Sequence, residues 1–201
     1  ICGEITTTAV VDYEAVAREA IRSIGYIYPG DGFDADSCEI VIRIHQQSAD
    51  IALGVDKSLE AKQSGDAELD HGAGDQGMMF GYACDETPEL MPLPLSLSQK
   101  LSKRLTEVRK SGLLTYLRPD GKSQVTVEYD EQGHAVGIDT VVVSHQHDEG
   151  ISYDEIKDTV ISEIINPVLA EADFGTEDIK YFINPTGRFV IGGPHGDTGL
   201  T

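Results

Sequence analysis

The sequence predicts an α+β protein with helices packed on one face of a sheet. Strand-like runs return repeatedly to helical runs of similar length, in the order β-α-β, loop, α-β-β-α-β-β. The apolar period switches between 2 and about 3.6 from run to run. Size agrees: a chain of 201 residues, 40% hydrophobic, buries about 70% of its unfolded surface and needs no disulfide or metal to fold.

The elements follow in chain order. Residues 2–10, rich in Thr and Val, read as a strand. Asp12 is placed as an N-cap; Val16, Ala20, Ile21 and Ile24 then share a helical face, and Gly25 supplies the stop. Cys38–Gln46 alternates Ile40, Ile42 and Ile44, the pattern of a half-buried strand. Ser48–Gly74 is polar, acidic and glycine-punctuated, and is expected as a long structureless loop of the kind that forms lids or stays disordered. Met78, Met79 and Phe80 behind it read as a helix start. Pro94–Lys110 sets Leu97, Leu101, Leu105 and Val108 on one stripe. Ser123–Asp130 and Ala135–His147 flank a Glu131–His134 turn and predict a hairpin. Ser152-Tyr-Asp-Glu155 is a capping box opening a helix to about Asn166, stopped by Pro167. Short strands at Lys180–Asn184 and Arg188–Gly192 close the chain.

Charge excludes several functions. A net charge of −20 opposes nucleic acid as a bulk partner. No apolar run approaches the roughly 18 residues of a membrane span. Cys2, Cys38 and Cys84 are odd in number and contain no CxxC pair, which argues against a disulfide scaffold and for a reducing, cytoplasmic setting. Gln99–Glu128, with seven Lys and Arg against three acids, is a basic island that suits a small anion.

The motifs are individually modest. Gly72-Ala-Gly-Asp-Gln-Gly77 matches G-x-G-x-x-G, yet no strand precedes it and nearby acids would repel a pyrophosphate, so a Rossmann site is excluded. His145-Gln-His147 could offer two imidazoles to a metal, but no third ligand is identifiable and the pair is expected to be ordinary surface histidines. Arg118-Pro-Asp-Gly-Lys122 reads as a turn placing a lysine before a strand. Asn184-Pro-Thr-Gly-Arg188-Phe-Val-Ile-Gly-Gly-Pro-His-Gly-Asp197 combines glycine turns, an arginine, a phenylalanine and a carboxylate. Together these suggest a nucleotide site, with the reaction undefined.

Longer runs identify a family. Gly72-Ala-Gly-Asp-Gln-Gly-Met-Met-Phe-Gly-Tyr-Ala83 and Gly193-Pro-His-Gly-Asp-Thr-Gly-Leu-Thr201 resemble the two signatures of S-adenosylmethionine synthetase (methionine adenosyltransferase). Gly3-Glu-Ile-Thr-Thr7, Gly32–Cys38, Leu117–Val125 and Phe182–Val190 support the resemblance in the family's order. The resemblance implies intertwined, repeated α+β units, and a homodimer or homotetramer with ATP and L-methionine as substrates. Attack of methionine sulfur on C5′ of ATP would be followed by hydrolysis of the triphosphate, with Mg²⁺ and K⁺ as ions. Carried over by position, Glu4, Gln47 and Asp197 are expected to contact methionine. Asp120, Gly121, Lys122, Arg188, Phe189, Asp197 and Asp75 are expected at ATP, with Lys122 and Asp197 catalytic. The loop after Gln47 corresponds to the family's mobile gate.

The chain resembles the middle segment of a family member. Residues 1–98 are expected to form part of the amino-terminal and adjoining unit, and residues 99–201 the central unit. The family's Gly-His-Pro-Asp-Lys run, Arg-Lys pair and metal carboxylates have no counterpart in these residues, so this segment alone is expected to be inactive. The other readings are a nucleotide-binding or regulatory module that associates with a full-length homologue, and a purely structural domain.

Overall fold

The Thr- and Val-rich start of the chain yields a strand of three residues, β1 (Cys2–Glu4), rather than nine. The computed structural model describes residues 1–65, 77–172, 174 and 178–197. They divide into a unit of residues 1–20 and 38–81 and a unit of residues 21–37 and 82–201, the boundary falling inside helix α1 (Tyr13–Ile24). In α1 the Asp12 carboxylate accepts the Ala15 amide at 3.0 Å, the expected N-cap. The apolar stripe of α1 is not covered: none of its residues is buried, and Val16 is 59% exposed.

In the smaller unit β1 pairs in parallel with β2 (Arg43–His45), in the register Glu4 to His45. The strand expected over residues 38–46 is confined to these three. The segment expected to be structureless instead carries α2 (Ala49–Val55) and α3 (Leu59–Ser64). Ser58 makes α3 possible, its hydroxyl accepting the Ala61 amide at 3.1 Å, and Gly65 ends it in the left-handed region. Residues 66–74 of that segment lie outside the described residues. Met78–Phe80 form no helix and stand exposed.

The larger unit holds the core. Helix α4 (Leu93–Lys110) buries Leu97, Leu101, Leu105 and Val108, as their spacing predicts. They pack on β3 (Leu117–Tyr129) and β4 (Ala135–His147), an antiparallel hairpin closed by the Asp130–His134 turn. β5 (Lys180–Ile183) joins β4 in parallel, giving the sheet order β3-β4-β5. Val125, Val141, Val143 and Ile183 face the helices.

The connection between β4 and β5 does not stop at Pro167. Helix α5 (Tyr153–Val160) passes through a π turn at Ile161–Ile165 into α6 (Asn166–Leu169). Proline cannot donate to the Glu163 carbonyl four residues back, and Arg104 Nε of α4 donates to that carbonyl at 3.0 Å instead. The helix therefore continues where local sequence predicts a stop. Arg188–Gly192 is not a strand, and none of the three cysteines forms a disulfide among the described residues. Among the described residues no helix is long and apolar enough to cross a membrane.

Candidate functional site

The run Arg118-Pro-Asp-Gly-Lys122 is part of β3 and not a turn before it. Leu117 pairs with His147 and Gly121 with His145, so four steps on β3 span two on β4, a bulge built around Pro119, which has no amide to give the ladder. Arg118 anchors the bulge: its guanidinium lies 4.1 Å over the Tyr28 ring, 3.4 Å from Asp31, and pairs with Asp148. The strand alternation turns Ser123 toward α4, where its hydroxyl donates to the Ser98 carbonyl at 2.7 Å, and leaves Lys122 exposed on the other face. Among the described residues no carboxylate pairs with Lys122.

Gly121 sits directly over His145. A Cβ there would stand 2.7 Å from the imidazole Cδ2, so the position between Asp120 and Lys122 admits no side chain without moving a buried ring. His145 is not a surface histidine: it is 2% exposed, and burial pushes its pKa down to about 4, against a bond from Nδ1 to the Gln146 carbonyl at 2.9 Å. His147 is buried too. The two rings do not form a metal pair. Among the described residues no three His, Cys, Asp or Glu side chains converge to hold a cation. The described residues thus offer no such ligand set for the Mg²⁺ and K⁺ implied by the resemblance.

The segment 184–197 is fastened to this strand pair by polar contacts. Asn184, with φ of +40°, extends the β4–β5 pairing with its side chain: Oδ1 accepts the His145 amide at 2.8 Å and Nδ2 donates to the His145 carbonyl at 3.0 Å. His147 and Phe189 are joined amide to carbonyl at 2.9 Å, and the Phe189 amide donates to His147 Nε2 at 3.1 Å. Asp120 Oδ2 accepts the Gly193 amide at 2.8 Å. Gln146 Nε2 donates to the Val190 carbonyl at 3.0 Å, while its buried Oε1 has no hydrogen-bond partner among the described residues. A Cβ on Gly192 would stand 2.8 Å from the Phe189 ring and 2.9 Å from Asp120 Oδ2, so glycine is what lets these two groups converge.

Of the residues expected at ATP, Asp120, Gly121 and Phe189 are thus brought together, and Lys122 follows on the same strand. Arg188 points to Glu149 at 2.8 Å, with both side chains mostly exposed. Asp197 is exposed and held through its amide, which donates to the Gly193 carbonyl at 3.2 Å. Asp75 lies outside the described residues. Glu4 and Gln47 belong to the smaller unit, where the β1–β2 pairing sets Glu4 opposite His45, two residues before Gln47. Tyr26 lies close enough to Gly193 to exclude a Cβ there; burial, then the Asp120 charge, raises its phenol pKa. A cavity of about 430 Å³ lies elsewhere, among Glu86, Leu97, Lys100, His134 and Glu171, and none of the expected substrate residues lines it.

Sequence reasoning missed Asn184, Gln146, His145 and His147 as structural parts of this site. Asn184 in its Asn-Pro-Thr-Gly turn was the available signal, since asparagine tolerates the left-handed region. The family model described as S-adenosylmethionine synthetase, central domain, matches residues 70–189, and the one described as S-adenosylmethionine synthetase, N-terminal domain, matches residues 1–49. The central-domain match alone covers more than half of the chain and includes β3, β4, β5 and Phe189. The chain belongs to the S-adenosylmethionine synthetase family.

Proposed function

We propose that this chain serves transfer of the adenosyl group of ATP to the sulfur of L-methionine. The sulfur lone pair forms the S–C5′ bond, the C5′–O bond breaks, and triphosphate leaves with the bonding pair. Water then cleaves the triphosphate to pyrophosphate and phosphate. The observation that carries the reading is the bond from the Gly193 amide to Asp120: it joins two motif segments 73 residues apart, the ones that bear Lys122 and Phe189.

Phe189 offers adenine a ring face, and Lys122 and Arg188 meet the triphosphate with fixed positive charge. That charge matters most as the leaving group develops, so Lys122 is assigned to catalysis. Gly121 keeps the strand close to the ligand without a side chain. Glu4 takes the methionine ammonium and Gln47 its other polar groups, Asp197 serves both substrates, and Asp75 borders the ATP site. We assign the chain to a cytoplasmic homodimer or homotetramer, on the family likeness.

Calorimetric titration of the full chain with ATP tests the site. Saturable binding is expected, and Lys122→Gln should weaken it by about 1.5–3 kcal/mol, roughly 10- to 150-fold. Absence of saturation at millimolar ATP would overturn the nucleotide reading. Mass spectrometry of the same mixtures with methionine, Mg²⁺ and K⁺ tests transfer directly and decides whether these 201 residues suffice for it.

A further inference from the structure

We infer that His147 is the positioning residue for Phe189, an inference that rests on the adenine role given to that ring above. His147 ends β4, is 5% exposed, and holds Phe189 at two points. Its amide donates to the Phe189 carbonyl at 2.9 Å, and its Nε2 accepts the Phe189 amide at 3.1 Å. Its Nδ1 donates to the Asp148 carbonyl at 2.8 Å, which fixes the tautomer: the proton sits on Nδ1 and leaves Nε2 as an acceptor. Both ring nitrogens are therefore committed to main-chain partners, and the imidazole acts on geometry rather than on substrate.

The consequence lies in preorganisation. Phe189 sits on a segment without ladder pairing, and with both its amide and its carbonyl held by one residue its Cα is fixed against β4. Packing of its ring over Gly192 then restricts the side chain, whose Cε2 lies 2.8 Å from where a Gly192 Cβ would stand. A ring held in this way stacks on a base without first losing the freedom of a mobile loop, and that ordering cost is what weakens binding to unrestrained surfaces.

The test titrates the full chain with ATP and, separately, with inorganic tripolyphosphate, which has phosphates but no base. His147→Ala should lower ATP affinity roughly three- to tenfold, the effect of one lost hydrogen bond, and leave tripolyphosphate affinity nearly unchanged. His147→Gln places an oxygen about where Nε2 stands and should restore ATP affinity. His147→Asn keeps a donor, its amide nitrogen, at the Nδ1 position, leaves no acceptor at Nε2, and should not. The Gln and Asn pair decides the matter even where the alanine variant fails to fold. Phe189→Ala sets the largest loss available. Retention of full ATP affinity in His147→Asn and His147→Ala, with Phe189→Ala impaired, would overturn the inference. So would equal losses for ATP and tripolyphosphate, which would mark general loosening. An unimpaired Phe189→Ala would instead overturn the adenine reading itself, and the positioning role with it.

Discussion

Acid should weaken this fold through His145. In the unfolded chain a histidine titrates near 6.5; beneath Gly121, burial pushes it down to about 4. The folded state therefore resists a proton that the unfolded state accepts between these values. Stability is full above about pH 6.5, falls as pH drops, and levels off near pH 4, where the folded protein also protonates. The complete interval corresponds to about 3 kcal/mol, and the step from pH 7 to pH 5 to about 2 kcal/mol. With a urea m-value near 2 kcal/mol/M, that step moves the unfolding midpoint by about 1 M. Carboxylates titrate in the lower part of the window, so the informative quantity is the difference between wild type and His145→Gln. The variant should lose about 2 kcal/mol less than wild type between pH 7 and pH 5 in urea titrations followed by circular dichroism. Parallel pH profiles for the two proteins would refute the argument.

Other expected outcomes follow from packing and local electrostatics. Gly121→Ala forces its Cβ against the His145 ring and should cost about 1–3 kcal/mol in urea unfolding, together with weaker ATP binding in titration. Leu101→Ala removes a fully buried side chain from α4 and should cost about 2–5 kcal/mol by the same unfolding measurement. The Tyr129 phenol is pushed up to about 12, by burial and by its 2.7 Å bond to Glu86; ultraviolet titration of Glu86→Ala should show one tyrosine ionising at lower pH than in the parent.

What could be read in the sequence was what depends on neighbours along the chain. The α4 stripe, the Asp130–His134 turn, the Asp12 cap and the Ser152 cap are short-range and were found by spacing and turn chemistry. The passage of the helix through Pro167 was hidden because Arg104, 59 residues from Glu163, takes the carbonyl that proline leaves free. Arg188–Gly192 has the composition of a strand, yet its main chain is held by the side chains of His147 and Gln146, and the Gly193 amide that follows it by Asp120, in place of a regular ladder. The family motifs pointed to Asp120, Lys122 and Phe189. They could not indicate that two histidines with the look of a metal pair are buried and bonded to main-chain carbonyls, which is settled by the β3–β4 register.

The fastening of residues 184–197 has a further consequence for motion. Its attachments are hydrogen bonds from Asn184, His147, Gln146 and Asp120, while Ile191 within it remains 65% exposed, so little apolar surface holds it down. Such a segment can detach as a cooperative piece while the leucine-lined core stays folded. Native-state hydrogen exchange should then find the Phe189 and Gly193 amides opening together, at a free energy well below that of the α4 amides. The candidate nucleotide surface would come and go as one unit on a folded scaffold.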